Sequence, residues 1–96
     1  MPEMWFTVRW PDQSLSECYS PSTVITHYFA CGEKYQLMDF VTRSHTALTA
    51  ASERVRATHG FACSSALDQL RKIQHTAERF RDQPDAQVII ERITGR

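Results

Sequence analysis

Hydrophobic residues alternate with polar ones at the start of the chain. Every second position of residues 4–10 is apolar (Met4, Phe6, Val8, Trp10). A period of two predicts a half-buried β-strand. Pro11 to Ser14 has the residue types of a turn, and residues 15–19 predict a second strand. Because the link between the two strands is so short, we expect them to form a hairpin.

The pattern then changes to helical spacing, and three helices are predicted. The first covers residues 21–30, with Ser20 placed to cap it, Pro21 in its first position and Gly32 to close it. After a loop through residues 33–35, the second covers 37–59 and ends at Gly60. Its apolar stripe has alternating spacings of four and three (Leu37, Val41, Ser44, Leu48, Ala51, Val55). The third covers 65–81, with Ser65 as its N-cap and Asp68 completing a capping box.

Residues 86–93 are rich in β-branched side chains and predict a third strand. We expect this strand to lie beside the first one, whose apolar face is the stronger, while the pattern does not set its direction. The order ββαααβ predicts an α+β fold, a small sandwich in which three helices pack on one face of a three-stranded sheet. The chain, residues 1–96, is expected to form a single domain.

Composition excludes several classes of protein. A hydrophobic content of 42% argues against disorder. Eleven basic and eleven acidic residues give a net charge of +0, which argues against nucleic-acid binding. No apolar run is long enough for a membrane span, and the N-terminus lacks the pattern of a signal peptide. With three cysteines and no CxxC pair, we expect free thiols in a soluble, cytoplasmic protein without a metal site or cofactor.

Cys63 is the main candidate for thiol chemistry. It lies between Gly60 and the predicted third helix, where the partial positive charge of a helix N-terminus lowers the pKa of a thiol. Cys18 and His59 are the other candidate catalytic residues, since a Cys/His pair is the usual source of an activated thiolate. The alternative, which we favour, is that Cys63 is a small packed residue in a helix-to-helix corner. His59 would then only interact with the dipole of its own helix.

Tryptophans occur on both faces of the first strand, because Trp5 and Trp10 have opposite parity. One face is expected to pack against the helices, and the other would leave an apolar patch in need of a partner. The candidate interaction residues are therefore Trp5, Trp10, Arg9 and Ile89, and a homodimer through the open sheet face is expected. The alternative is that long side chains such as Arg9 and Arg92 cover the patch.

Four segments resemble one bacterial family. They are FTVRWPD (6–12), CYSPS (18–22), LMDF (37–40) and ASERVRATHGFACSSAL (51–67). The family consists of proteins of about this length, described as nitrogen starvation response proteins and encoded beside a nitrilase-like enzyme. One departure is Gln13, where the family pattern leads us to expect glycine. The resemblance implies a setting in the use of nitrile or cyanide nitrogen, and it implies no catalytic residues.

Two functions are compatible with these observations. The first is a non-enzymatic accessory protein that associates with itself or with a partner enzyme of the nitrilase cluster. It is favoured by the neutral charge, the surplus tryptophan and the lack of a catalytic constellation in the sequence. The second is a small thiol-dependent enzyme or carrier that uses Cys63 on a nitrile- or cyanide-derived intermediate.

Overall fold

The N-terminal hairpin forms as the alternation predicts. In the computed structural model, which describes residues 3–95, β1 spans Met4–Arg9 and β2 spans Leu15–Ser20 in antiparallel pairing. The backbone N–H of Gln13 donates to the carbonyl of Trp10 at 2.9 Å, and Gln13 has a φ of 72°. Glycine adopts this left-handed conformation most easily. This conformation explains why glycine is expected at position 13. Gln13 adopts the same conformation and forms the turn.

The last strand lies beside the first, which confirms its predicted position. The strand spans Gln87–Gly95, is named β4 here, and pairs antiparallel with β1. The register shifts between Thr7 and Val8, so that Thr7 lies opposite Arg92 and Val8 lies opposite Ile90. The residue between them on β4 is therefore a β-bulge, which increases the local twist of the strand.

The predicted three-stranded sheet is wrong, because residues 3–95 contain a fourth strand. This strand, β3, spans Lys34–Gln36 and pairs antiparallel with β4, giving the sheet order β2-β1-β4-β3. Gly32, with a φ of 85°, reverses the chain, and its N–H donates to the carbonyl of Ile90 at 2.6 Å. The hydrophobic pattern predicts a loop here, because three residues are too few to show a period of two.

The predicted number of helices is also wrong, since residues 3–95 form two α-helices. Residues 21–30 form only a short 3₁₀ helix, Thr23–His27. Its N-cap is Ser22, whose Oγ accepts from the N–H of Val24 at 3.3 Å. Ser20, the predicted cap, instead donates its hydroxyl to the carbonyl of Ser22 at 2.8 Å. Four consecutive β-branched residues at positions 23–26 disfavour a longer α-helix.

The two α-helices follow in sequence and pack against each other. Helix α1 spans Leu37–His59 with the predicted bounds, and Gly60 closes it with a φ of 84°, as predicted. Helix α2 spans Ser64–Glu78, so its start and end differ from the predicted 65–81. The predicted N-cap Ser65 is wrong: the cap position belongs to Cys63, whose N–H donates to Ser52 Oγ at 3.1 Å.

The core lies between the sheet and the two helices, and aromatic rings fill its centre. Trp10 is 1% exposed, with its ring centroid 5.5 Å from that of Phe40 and 6.0 Å from that of Phe80. Its indole N–H donates to Ser16 Oγ at 2.8 Å, which satisfies its one polar group. From β1, Phe6 and Val8 are fully buried on the same face. The helices therefore cover the even-numbered face of β1 and leave the odd-numbered face open.

Candidate functional site

The odd-numbered residues of β1 lie on the face of the sheet opposite the helices. Strand pairing places them in three rows with their neighbours on β2 and β4. We define the open sheet face by these rows. They are Tyr19, Trp5 and Thr94; Glu17, Thr7 and Arg92; and Leu15, Arg9 and Ile89. Trp5, Thr7 and Arg9 in the central column are half-buried, whereas Glu17 and Arg92 on the flanks are exposed.

An aromatic pair occupies one end of the open sheet face. The ring centroids of Trp5 and Tyr19 lie 5.2 Å apart at an interplanar angle of 61°, an edge-to-face geometry that aromatic pairs prefer. The other end is aliphatic: Leu15 is 56% exposed and Ile89 is half-buried. Arg9 lies between them and forms an ion pair with Glu91. The face thus has large apolar side chains in its two end rows, one of which also contains Arg9, and charged residues in its middle row.

Three of the four predicted interaction residues share this surface. Trp5, Arg9 and Ile89 lie together on it, with Arg9 directly opposite Ile89 in the strand register. Trp10 does not, because it is buried in the core under the helices. Its proposed role as an interaction residue is therefore corrected to a role in packing.

Strand β2 contributes further residues to this face that are not among the predicted interaction residues. They share the parity of position 15 (Leu15, Glu17, Tyr19). The predicted hairpin is the signal that would have found them, because residues on the same face of two paired strands lie side by side.

A second feature is a cavity at the junction of the two helices. It has a volume of about 210 Å³ and is lined by Glu3, Tyr19, Pro21, Val55, His59 and Cys63. The structure therefore brings Cys63 and His59 to one cavity, although Gly60 reverses the chain between them. Cys63 is a free, half-buried cysteine at the N-terminus of α2. Activation of its thiol requires a base within hydrogen-bonding reach, whereas the hydrogen bond between Cys63 and Ser52 is made by the backbone N–H of Cys63.

Tyr19 connects this cavity to the open sheet face. Its hydroxyl lies 3.4 Å from a carboxylate oxygen of Glu3. Burial raises the pKa of the Tyr19 phenol, and the charges of Glu3 and Cys63 raise it further. Both effects disfavour the phenolate. Tyr19 is therefore a neutral hydroxyl at physiological pH, suited to hydrogen bonding at the rim of the cavity.

The remaining thiols do not line this cavity. Cys18 is fully buried opposite Phe6, and burial, with a smaller effect of Glu17, raises the pKa of its thiol to about 12. It is therefore protonated and enclosed at neutral pH, which fits packing better than catalysis. Cys31 is exposed, with its Sγ 3.5 Å from the carbonyl of Glu91. The candidate pair of Cys18 and Cys63 is not assembled in one site.

Residues 3–95 contain neither a cluster of metal ligands nor a membrane-spanning helix. In that part of the chain, no group of three or more His, Cys, Asp and Glu side chains is arranged to hold a metal ion. None of the described helices has the length and apolar character needed to cross a membrane.

Comparison with known proteins assigns the chain to a family. Residues 5–93 match the family model described as nitrogen starvation-induced protein NitG. The sequence gives no significant match to a curated protein or to a solved structure. The family match covers nearly the whole chain and confirms the resemblance carried by the four sequence segments. The chain therefore belongs to the NitG family of nitrogen starvation-induced proteins.

Proposed function

We propose that this chain is a non-enzymatic accessory protein of the nitrogen-starvation response that acts by binding protein through its open sheet face. Its partner is a second copy of the chain or a nitrilase-like enzyme encoded beside it, in a cytoplasmic pathway that uses nitrile or cyanide nitrogen. The observation that carries this proposal is the open sheet face, where Trp5, Tyr19, Leu15 and Ile89 lie outside the helix-covered core.

The composition of the face supports protein binding. Protein interfaces are enriched in tryptophan, tyrosine and arginine at their centres and are polar at their rims. Here Trp5 and Arg9 occupy the central column, and Glu17 and Arg92 lie at the flanks. The ion pair between Arg9 and Glu91 lets the arginine lie near apolar neighbours with its charge compensated.

Genetic complementation tests this proposal. A strain that lacks the chain should grow poorly when a nitrile or cyanide is its nitrogen source, and the wild type should restore its growth. Ile89→Glu adds a charge to the open sheet face and should fail to restore it, whereas Cys63→Ala should succeed. Met38→Glu is a matched control, because Met38 is 63% exposed on α1. Circular dichroism of each purified variant must first show a folded chain.

The second candidate function is a thiol-dependent enzyme or carrier that uses Cys63 on a nitrile- or cyanide-derived intermediate. The observation that favours it is that Cys63 and His59 line the same cavity. The same complementation experiment distinguishes it from the first. A thiol function requires that Cys63→Ala fails and that Ile89→Glu succeeds, the reverse of the result expected for an accessory protein.

A further inference from the structure

We propose that the open sheet face binds the same face of a second copy of this chain. In this dimer the two β1 strands run parallel, and the twofold axis lies along the strand direction between the two sheets. This inference rests on the proposed function, because it names the partner of the same surface. It is carried by the charges that flank the central strand.

The middle row of the face has opposite charges at its two ends. Glu17 on β2 and Arg92 on β4 lie on either side of Thr7. Since neighbouring strands are about 4.8 Å apart, the backbones at the two charged positions are roughly 10 Å from each other, with Thr7 between them. Within residues 3–95 neither side chain takes part in an ion pair, although other exposed charges such as Arg81 and Glu78 do.

A twofold axis along β1 brings these charges together between copies. Such a rotation places β2 of one copy over β4 of the other and leaves the position along the strands unchanged. Glu17 of each copy then faces Arg92 of the second copy, so that one symmetric interface contains two complementary pairs. The aliphatic row pairs in the same way, with Leu15 facing Ile89 of the second copy. Two sheets packed in nearly parallel alignment are a common arrangement of open sheet faces.

The charge pattern excludes the other simple twofold arrangement. An axis across the strands would place Glu17 over Glu17 and Arg92 over Arg92 of the second copy. Juxtaposed like charges are strongly unfavourable at an interface. The axis along the strands instead places Arg9 over Arg9, but each of these arginines is already paired with Glu91 of its own chain. Its charge is therefore compensated before the copies meet.

The size of the face predicts a weak dimer. Three strands at about 4.8 Å and six residues at about 3.3 Å cover a flat area of roughly 300 Å². Stable interfaces usually bury about 800 Å² on each partner. We therefore expect an equilibrium between monomer and dimer that depends on protein concentration, rather than an obligate dimer.

Charge exchange tests the arrangement. Sedimentation equilibrium over a range of concentrations should give a dimer dissociation constant for the wild type. Glu17→Arg and Arg92→Glu each replace two complementary contacts by two repulsive ones and should raise this constant by about tenfold or more. The double variant restores both pairs with exchanged signs and should return to within about threefold of the wild type.

Matched controls lie on the helical side of the molecule. Glu78→Arg and Arg81→Glu disrupt a surface ion pair of 3.1 Å on the side opposite the sheet face and should leave the dissociation constant unchanged. Met38→Glu tests the apolar groove of about 340 Å³ between α1 and α2 as an alternative interface.

Three outcomes would overturn the inference. They are a monomer at every concentration, a double variant no better than the single ones, or a dimer that Met38→Glu dissociates. If the wild type is a monomer and the Ile89→Glu variant still fails to restore growth, the partner of the open sheet face is not a second copy of the chain. This result would leave the proposed accessory function intact.

Discussion

At the scale of single residues, burial determines the behaviour of Cys18. Its thiol is fully enclosed between the sheet and the helices, and its pKa rises from 9.0 to about 12. A thiol whose pKa is higher in the folded than in the unfolded chain stabilises the fold below the unfolded pKa. That contribution is lost as the pH rises from about 9 towards 12, because the unfolded chain releases its proton first.

We therefore predict that the wild type loses stability at alkaline pH and that the Cys18→Ala variant lacks this loss. At pH 7 the wild type should be more stable by about 1 kcal/mol, since the variant loses buried packing. Between pH 9 and 10.5 this advantage should shrink by on the order of 1–2 kcal/mol, because each unit of pKa shift corresponds to about 1.4 kcal/mol. Urea unfolding at several pH values measures it.

Val88→Ala is the control for this titration, because Val88 is fully buried and has no ionisable group. It should lower the stability without changing the pH dependence of unfolding. A wild-type advantage over Cys18→Ala that stays constant from pH 7 to 10.5 would show that Cys18 ionises as freely in the folded chain as in the unfolded one.

At the scale of elements, the start of α2 shows what local sequence signals leave open. Ser65 and Asp68 have the spacing of a capping box, yet the helix begins one residue earlier and Cys63 occupies the cap. The hydrogen bond from the N–H of Cys63 to Ser52 on α1 fixes this start. A contact between residues eleven positions apart cannot be read from the capping pattern. Cys63 itself forms no side-chain cap.

Substitutions at the two positions distinguish the alternatives. Cys63→Ser supplies a hydroxyl that can accept from the free N–H groups of the first turn, and should stabilise the protein by about 1 kcal/mol. Ser65→Ala should be nearly neutral, since alanine is a better helix former inside the first turn. Thermal unfolding of both variants measures these changes. If Ser65→Ala instead costs about 1 kcal/mol, Ser65 is the cap after all.

Long periodic elements could be predicted from the sequence, and short ones could not. Helix α1 has the predicted bounds, because its stripe repeats over about five turns and Gly60 ends it. Strand β3 has only three residues and depends on pairing with β4, which is about fifty residues away in the chain. The segment 21–30 has a good cap and an apolar stripe, but its β-branched run and the hydrogen bond between Ser20 and Ser22 limit it to a 3₁₀ helix.

At the scale of the whole molecule, only part of the candidate site could be predicted. The alternation alone predicts that Trp5 and Arg9 lie on one face, because side chains two residues apart in a strand share a face whatever the partner strands are. The row that joins Glu17, Thr7 and Arg92 depends on the β-bulge in β4. A shift of one residue moves every later side chain to the other face of a sheet. The charge complementarity on which the dimer rests therefore appears only when the strand register is known.

The two tryptophans report on the two faces of the same strand, which allows a final prediction. In Trp10→Phe the remaining indole, Trp5, lies on the open sheet face, so its emission should shift to shorter wavelength as protein concentration rises and the dimer excludes water. In Trp5→Phe the remaining indole, Trp10, is 1% exposed in the core, so its emission should not change with concentration. Adding Glu17→Arg to Trp10→Phe should abolish the shift. If the emission of Trp5 stays constant while that of Trp10 moves, association occurs through the helical side of the molecule instead.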